Sequence, residues 1–74
     1  MTNLNEVKKN TRVIIKDIDS SIYQKMTRLG ININDEVLIL KRSLFGTLVI
    51  YNEKTNIKIA VSKDIASKIA IDFC

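Results

Sequence analysis

The spacing of apolar residues divides the chain into short elements. Leu4 and Val7 lie three apart among polar neighbours, which predicts one helical turn resting on a core. Lys9-Asn10 reads as a turn. Thr11 to Ile18 is rich in β-branched residues and predicts the first strand. Its alternation breaks at Val13-Ile14-Ile15, as in a strand that is buried on both faces or bends into a barrel. Asp19-Ser20-Ser21 offers three candidate helix N-caps. Ile22, Met26 and Leu29 then recur at i, i+4 and i+7, so the main helix is predicted over Ser21 to Leu29. Gly30 stands where a left-handed residue ends a helix.

After the helix, Asn34 suits a left-handed turn. Strands are predicted over Glu36 to Arg42, Thr47 to Tyr51, Ile57 to Val61 and Ile69 to Phe73. Ser43-Leu44-Phe45-Gly46 forms a loop between the first two of these. Asn52 to Asn56 is a polar hairpin connection. Ser62 caps a helical turn from Lys63 to Lys68 that points Ile65 inward. The predicted fold is mainly β: a small SH3-like β-barrel of about five strands in a single domain, 1–74. It has one helix after the first strand and a short helical turn before the last. Full or partial closure hides the edges that an open sheet would expose. An OB fold is the neighbouring architecture, but it usually places its helix between the third and fourth strands.

Composition narrows the chemistry. The 74 residues carry a net charge of +4 and are 46% hydrophobic, too apolar for a disordered segment. The longest apolar run is Val37 to Leu40, far short of the roughly 20 residues of a membrane span. Met1-Thr2-Asn3-Leu4 lacks the basic head and apolar run of a signal peptide. There is no His and no Trp, and the single Cys is Cys74. No internal disulfide can form, which fits a reducing, cytoplasmic setting. Structural zinc wants about four Cys or His ligands. Asp and Glu are the remaining hard ligands for iron, and they carry no motif. No spacing sets out an acid, a base and a nucleophile. The expectation is therefore a protein that is not an enzyme and that has no cofactor and no metal site.

Several ordered segments resemble one family. Arg28-Leu29-Gly30-Ile31 closes a helix and leads into Glu36-Val37-Leu38-Ile39-Leu40. Leu4-x-x-Val7 precedes Arg12-Val13 and its strand. Ile57-x-Ile59-Ala60-Val61-Ser62-x-x-Ile65-Ala66-x-x-Ile69-x-Ile71 completes the set. Together, over roughly Leu4 to Ile71, they are similar to FeoA, a small cytoplasmic protein of bacterial ferrous iron transport. Two family features differ here. Ile33-Asn34 stands where the family usually has Pro-Gly, and Leu44 and Leu48 replace prolines around Gly46. The resemblance implies an SH3-like barrel without catalysis or a small-molecule substrate. It also implies a partner, the membrane iron transporter FeoB, met through its cytoplasmic domain. The protein would then lie peripheral to the inner membrane through that partner. The same domain type occurs at the C-terminus of some iron-dependent repressors, and no DNA-binding domain is seen ahead of it here.

The candidate contact residues are Arg28, Leu44, Phe45 and Gly46. Arg28 is a partner contact or simply a cation well placed at a helix C-terminus. Leu44 and Phe45 are a docking tip, or Phe45 folds back over a barrel mouth. The alternative function is a small basic nucleic-acid-binding barrel. Against it, the aromatics Tyr23, Phe45, Tyr51 and Phe73 show no interleaving with the lysines.

Overall fold

The computed structural model describes residues 2–74. The chain runs through β1 (Thr2–Asn3), a 3₁₀ turn (Leu4–Glu6), β2 (Arg12–Ile18), α1 (Tyr23–Arg28) and β3 (Glu36–Arg42). It continues through β4 (Leu48–Asn52), β5 (Ile57–Val61), α2 (Lys63–Ala66) and β6 (Ile69–Phe73). All strands join one antiparallel sheet in the order β1-β6-β2-β3-β4-β5. The fold is mainly β and SH3-like, as its residue pattern predicts. A sixth strand is added at the start, where Thr2 and Asn3 pair with Ile71 and Ala70. Two residues are too few to carry a periodic signal.

Two irregularities curl the sheet around its core. The β2–β6 register shifts between Ile15 and Asp17, and the β3–β4 register shifts between Ile39 and Lys41. An extra residue bends a strand and resets which face follows. In β2 it lets Val13, Ile15 and Ile18 all point inward although Ile15 and Ile18 are three apart. The broken alternation at Val13-Ile14-Ile15 is thus the mark of a strand that bends.

The core is almost wholly aliphatic. Leu4, Val13, Ile15, Met26, Ile31, Ile39, Leu48, Ile50, Ile69 and Ile71 are sealed from solvent, and Ile59 and Ile65 pack against them. The 3₁₀ turn packs against α2 and β6, with Leu4 and Val7 buried beneath. Three asparagines provide left-handed turns without glycine: Asn10 (φ 64°), Asn34 (φ 75°) and Asn56 (φ 56°). Asparagine tolerates that region better than most residues.

The main helix is shorter than its apolar stripe predicts. Ile22, not a Ser or Asp, occupies the N-cap, and no side chain caps the helix. Asp19 instead folds its carboxylate back onto the Ser21 N–H at 3.0 Å, and the Ser21 hydroxyl donates to the same oxygen. This local turn competes with capping, and it delays the helix by two residues. At the other end, Leu29 is 39% exposed. Six residues make less than two turns, so i+7 falls outside the helix. Ile31 replaces Leu29 in the core. Its N–H bonds the Met26 carbonyl at 2.9 Å and the Gly30 N–H bonds that of Thr27 at 3.1 Å, a Schellman motif. At α2, by contrast, Ser62 caps as expected, accepting from the Ile65 N–H at 3.2 Å.

These burials set a measurable contrast. Met26→Ala is expected to lower the unfolding free energy by about 2–5 kcal/mol, because it leaves a sealed cavity. Leu29→Ala should cost less than about 1 kcal/mol, as a part-exposed site does. Urea unfolding of both variants checks the reversal of roles.

Candidate partner-binding surface

The connection from β3 to β4 is a tight, internally bonded turn. The Ser43 N–H donates to the Thr47 carbonyl at 2.8 Å, and the Gly46 N–H to the Ser43 carbonyl at 3.2 Å. The Ser43 hydroxyl oxygen also accepts from the Phe45 and Thr47 N–H groups at 3.0 and 3.3 Å. Gly46 has φ 89°, a conformation that costs an L-residue about 1–2 kcal/mol. A Cβ there would lie 3.2 Å from the Lys63 Cβ, so the turn leans on the start of α2. Four hydrogen bonds centred on Ser43 hold the turn, and the side chains at its apex project outward. Leu44 is 100% exposed and Phe45 is 96% exposed. Phe45 does not fold back over a barrel mouth.

Beside this tip lies an open hollow of about 370 Å³ whose wall includes Asn5, Arg42, Phe45 and Lys63. Arg42 is held there by its Nη1, which donates to the Val7 carbonyl at 2.6 Å. An apolar apex flanked by two cations is suited to a partner with an apolar pocket and an acidic rim.

Arg28 is exposed in the last turn of α1, and its surroundings are different. Gly30, two residues on, has φ 91°, and a Cβ there would sit 2.6 Å from the Ile57 Cδ1. Asn52 Nδ2 donates to the Gly30 carbonyl at 3.0 Å. The end of α1 is thereby fixed where β4 passes into β5. The tip lies at the other end of β4, beside the start of α2. Five strand residues separate the two, about 13 Å along the chain. Leu44, Phe45 and Gly46 therefore form one surface, and Arg28 belongs to another.

Pattern reading missed the groups that hold the Arg28 end in place. Asn52 is sealed at the end of β4, and Asp35 is buried just before β3. Asn52 Nδ2 donates to Asp35 Oδ2 at 2.7 Å, and the Asn32 N–H donates to the same oxygen at 3.0 Å. Asn52 Oδ1 accepts from the Lys54 N–H at 3.1 Å, which starts the hairpin turn. Among the described residues, every buried side-chain polar atom has a partner. The sequence signal was present: an Asn ending an apolar run is a poor strand residue unless something binds it.

A second polar cluster lies on the surface. Arg12 pairs with Glu53 and, at 4.0 Å, with Glu36. The Cys74 thiol hydrogen-bonds to Glu36 Oε1 at 3.0 Å. The Glu36 carboxylate accepts from the protonated thiol and repels the thiolate, so the Cys74 pKa lies above its ordinary value. The bond that Arg12 donates to Glu53 raises the Arg12 pKa, and the bonds that Asp19 accepts from Ser21 lower that of Asp19. Among the described residues, no three His, Cys, Asp or Glu side chains converge as metal ligands would. No helix is long and apolar enough to cross a membrane.

The FeoA domain profile matches residues 2–72. The chain belongs to the FeoA family. Membership makes it a small accessory protein associated with ferrous iron transport. A crystal structure of the iron uptake regulatory protein FeoA superposes at TM-score 0.85 and 18% identity, over 99% of this chain and 96% of that one. The solution structure of an FeoA-like protein from Clostridium acetobutylicum gives 0.83 and 22%, over 99% and 90%. The manganese regulator SloR contains a similar fold at 0.84 and 22% identity, spanning 99% of this chain but 34% of its own. At such identities the structures share the fold alone. No curated protein matches the chain at significance.

Two outcomes test this FeoA domain's polar contacts. Asn52→Ala should cost about 1–3 kcal/mol in urea unfolding, because it strips a buried carboxylate and the Gly30 carbonyl of their donor. Glu36→Gln should speed alkylation of Cys74 by iodoacetamide near pH 8, because it removes the charge that disfavours the thiolate.

Proposed function

We propose that this protein is a non-catalytic adaptor that binds the cytoplasmic domain of an FeoB-type membrane iron transporter and modulates its activity. Its working location is the cytoplasmic face of the membrane, reached through that partner. The observation that carries the reading is the family match over residues 2–72. The contact surface is the Leu44-Phe45-Gly46 tip. Its support is the pair of large apolar side chains held in solvent by a turn bonded through Ser43, with Arg42 and Lys63 beside them. A rigid apolar anchor loses little conformational entropy when a pocket closes over it. Arg28 is a separate contact, used only by a partner that reaches past the end of β4.

The nucleic-acid reading has less support. Tyr51 stands opposite Lys58 in the β4–β5 ladder, and its ring is already engaged. Its hydroxyl donates to Asn56 Oδ1 at 2.8 Å, and Lys58 Nζ lies 5.9 Å from its ring centre. The remaining aromatics lie on α1, the tip and β6, which gives no shared stacking platform.

An amide-resolved titration with the cytoplasmic domain of the transporter tests the proposal. Saturable shifts are expected over Ser43 to Thr47, and Phe45→Ala should weaken binding about 30-fold, as loss of an interface anchor does. Arg28→Glu should weaken it by less. Folded Phe45→Ala and Arg28→Glu proteins that both bind like the unaltered protein would displace the contact from these residues. Absence of any saturable shift, together with oligonucleotide binding that falls steeply with salt, would favour the nucleic-acid reading.

A further inference from the structure

The sheet ends in two unequal edges. The β1 edge is only two residues long, which is itself a safeguard against pairing. The β5 edge runs for five residues, Ile57 to Val61, and pairs only with β4. Among the described residues, no backbone hydrogen bond reaches its outer side. The usual protections are missing from it. The segment IKIAV has no proline, its ladder with β4 has no register shift, and its single charge is Lys58. That lysine leans back over the Tyr51 ring of β4 instead of guarding the edge. Ile59 packs against the core yet remains part-exposed, and so does Ile57, whose Cδ1 lies against Gly30 at the end of α1.

We propose that β5 is a self-association edge, on which two copies of this chain pair antiparallel about a two-fold axis through Ile59. The register follows from the side chains. Pairing about Ile59 uses all five residues and places Ile57 opposite Val61 of the second copy. It also sets Lys58 opposite the exposed Ala60, so no like charges meet. Moving the axis to Lys58 would oppose the two lysines directly, which is destabilising. Moving it to Ala60 leaves only three paired residues before α2 begins. Any odd shift would turn the lysine to the core side of the joint sheet. Of the registers that keep these rows on one face, only the Ile59 register joins all three residues of each row, Ile57, Ile59 and Val61, into one apolar stripe. A shared two-fold interface of this kind is self-complementary by construction. Each copy carries +4, so raised salt strengthens the dimer by screening their repulsion.

The test needs three forms of the full chain, each shown to be folded by its amide spectrum. Sedimentation velocity of the unaltered protein should show mass rising from 8.4 kDa towards twice that with concentration, and more readily at higher salt. A60K sets a second lysine opposite Lys58 at both ends of the symmetric pair, and should weaken the dimer about tenfold. K58E combined with A60K puts opposite charges across the edge and should restore it. Phe45→Ala should dimerise like the unaltered protein, which separates this edge from the transporter tip. A protein that stays monomeric up to about 1 mM, beyond the weakest affinity of interest, overturns the proposal. So does a dimer indifferent to A60K, or one that the second substitution fails to rescue.

Discussion

The Asn52 carboxamide is the interaction on which the arrangement of this domain turns. It touches the end of α1 through the Gly30 carbonyl, the approach to β3 through Asp35, and the hairpin after β4 through Lys54. Each of these groups is backbone or carboxylate that burial would otherwise penalise. A single short side chain that satisfies all of them fixes where the helix stops relative to the sheet. With the helix end placed, Ile31 enters the core and Leu29 is turned outward. Arg28 is thereby assigned to the hairpin end of β4, away from the apolar tip.

The second constraint is size. A chain of 74 residues with one cysteine and no histidine has no disulfide or zinc to hold it. Stability must come from a closely packed aliphatic core, and a flat sheet of short strands cannot enclose one. The register shifts in β2 and β3 supply the curvature. In β2 the shift also keeps Ile18 directed into the core after the bend. Asparagine takes the turn positions at residues 10, 34 and 56. The absence of proline therefore alters the loop chemistry without altering the order of strands.

The same fold recurs in FeoA proteins and within a manganese regulator of which it forms about a third, at identities too low to carry a role across. Two features of this chain are left uncovered. Leu44 and Phe45 stand on a turn bonded through Ser43, and β5 presents a strand edge with little to block it. The tip adjoins the Val61 end of β5 through Lys63, while the edge itself runs away from it towards Ile57.

Local pattern was enough to place most of the elements. β3, β5 and β6 begin and end where alternation and turn residues put them, and Ser62 caps α2 as its position indicates. These features depend on neighbours within a few residues, and so they are written in the sequence itself. The resemblance in Arg28 to Ile31 and the ending strands was legible for the same reason. Tertiary structure decided the rest. β1 exists because β6 lies beside it, and not because two residues prefer to be extended. The Leu29 stripe position fails because Gly30, held by Asn52, ends the helix first. The Asp35–Asn52 contact joins residues 17 apart in the chain, and no local period encodes it. Arg28 and Phe45 looked equivalent as exposed candidates in the sequence. Only the path of β4, which carries the chain from one end of the sheet to the other, sets them apart.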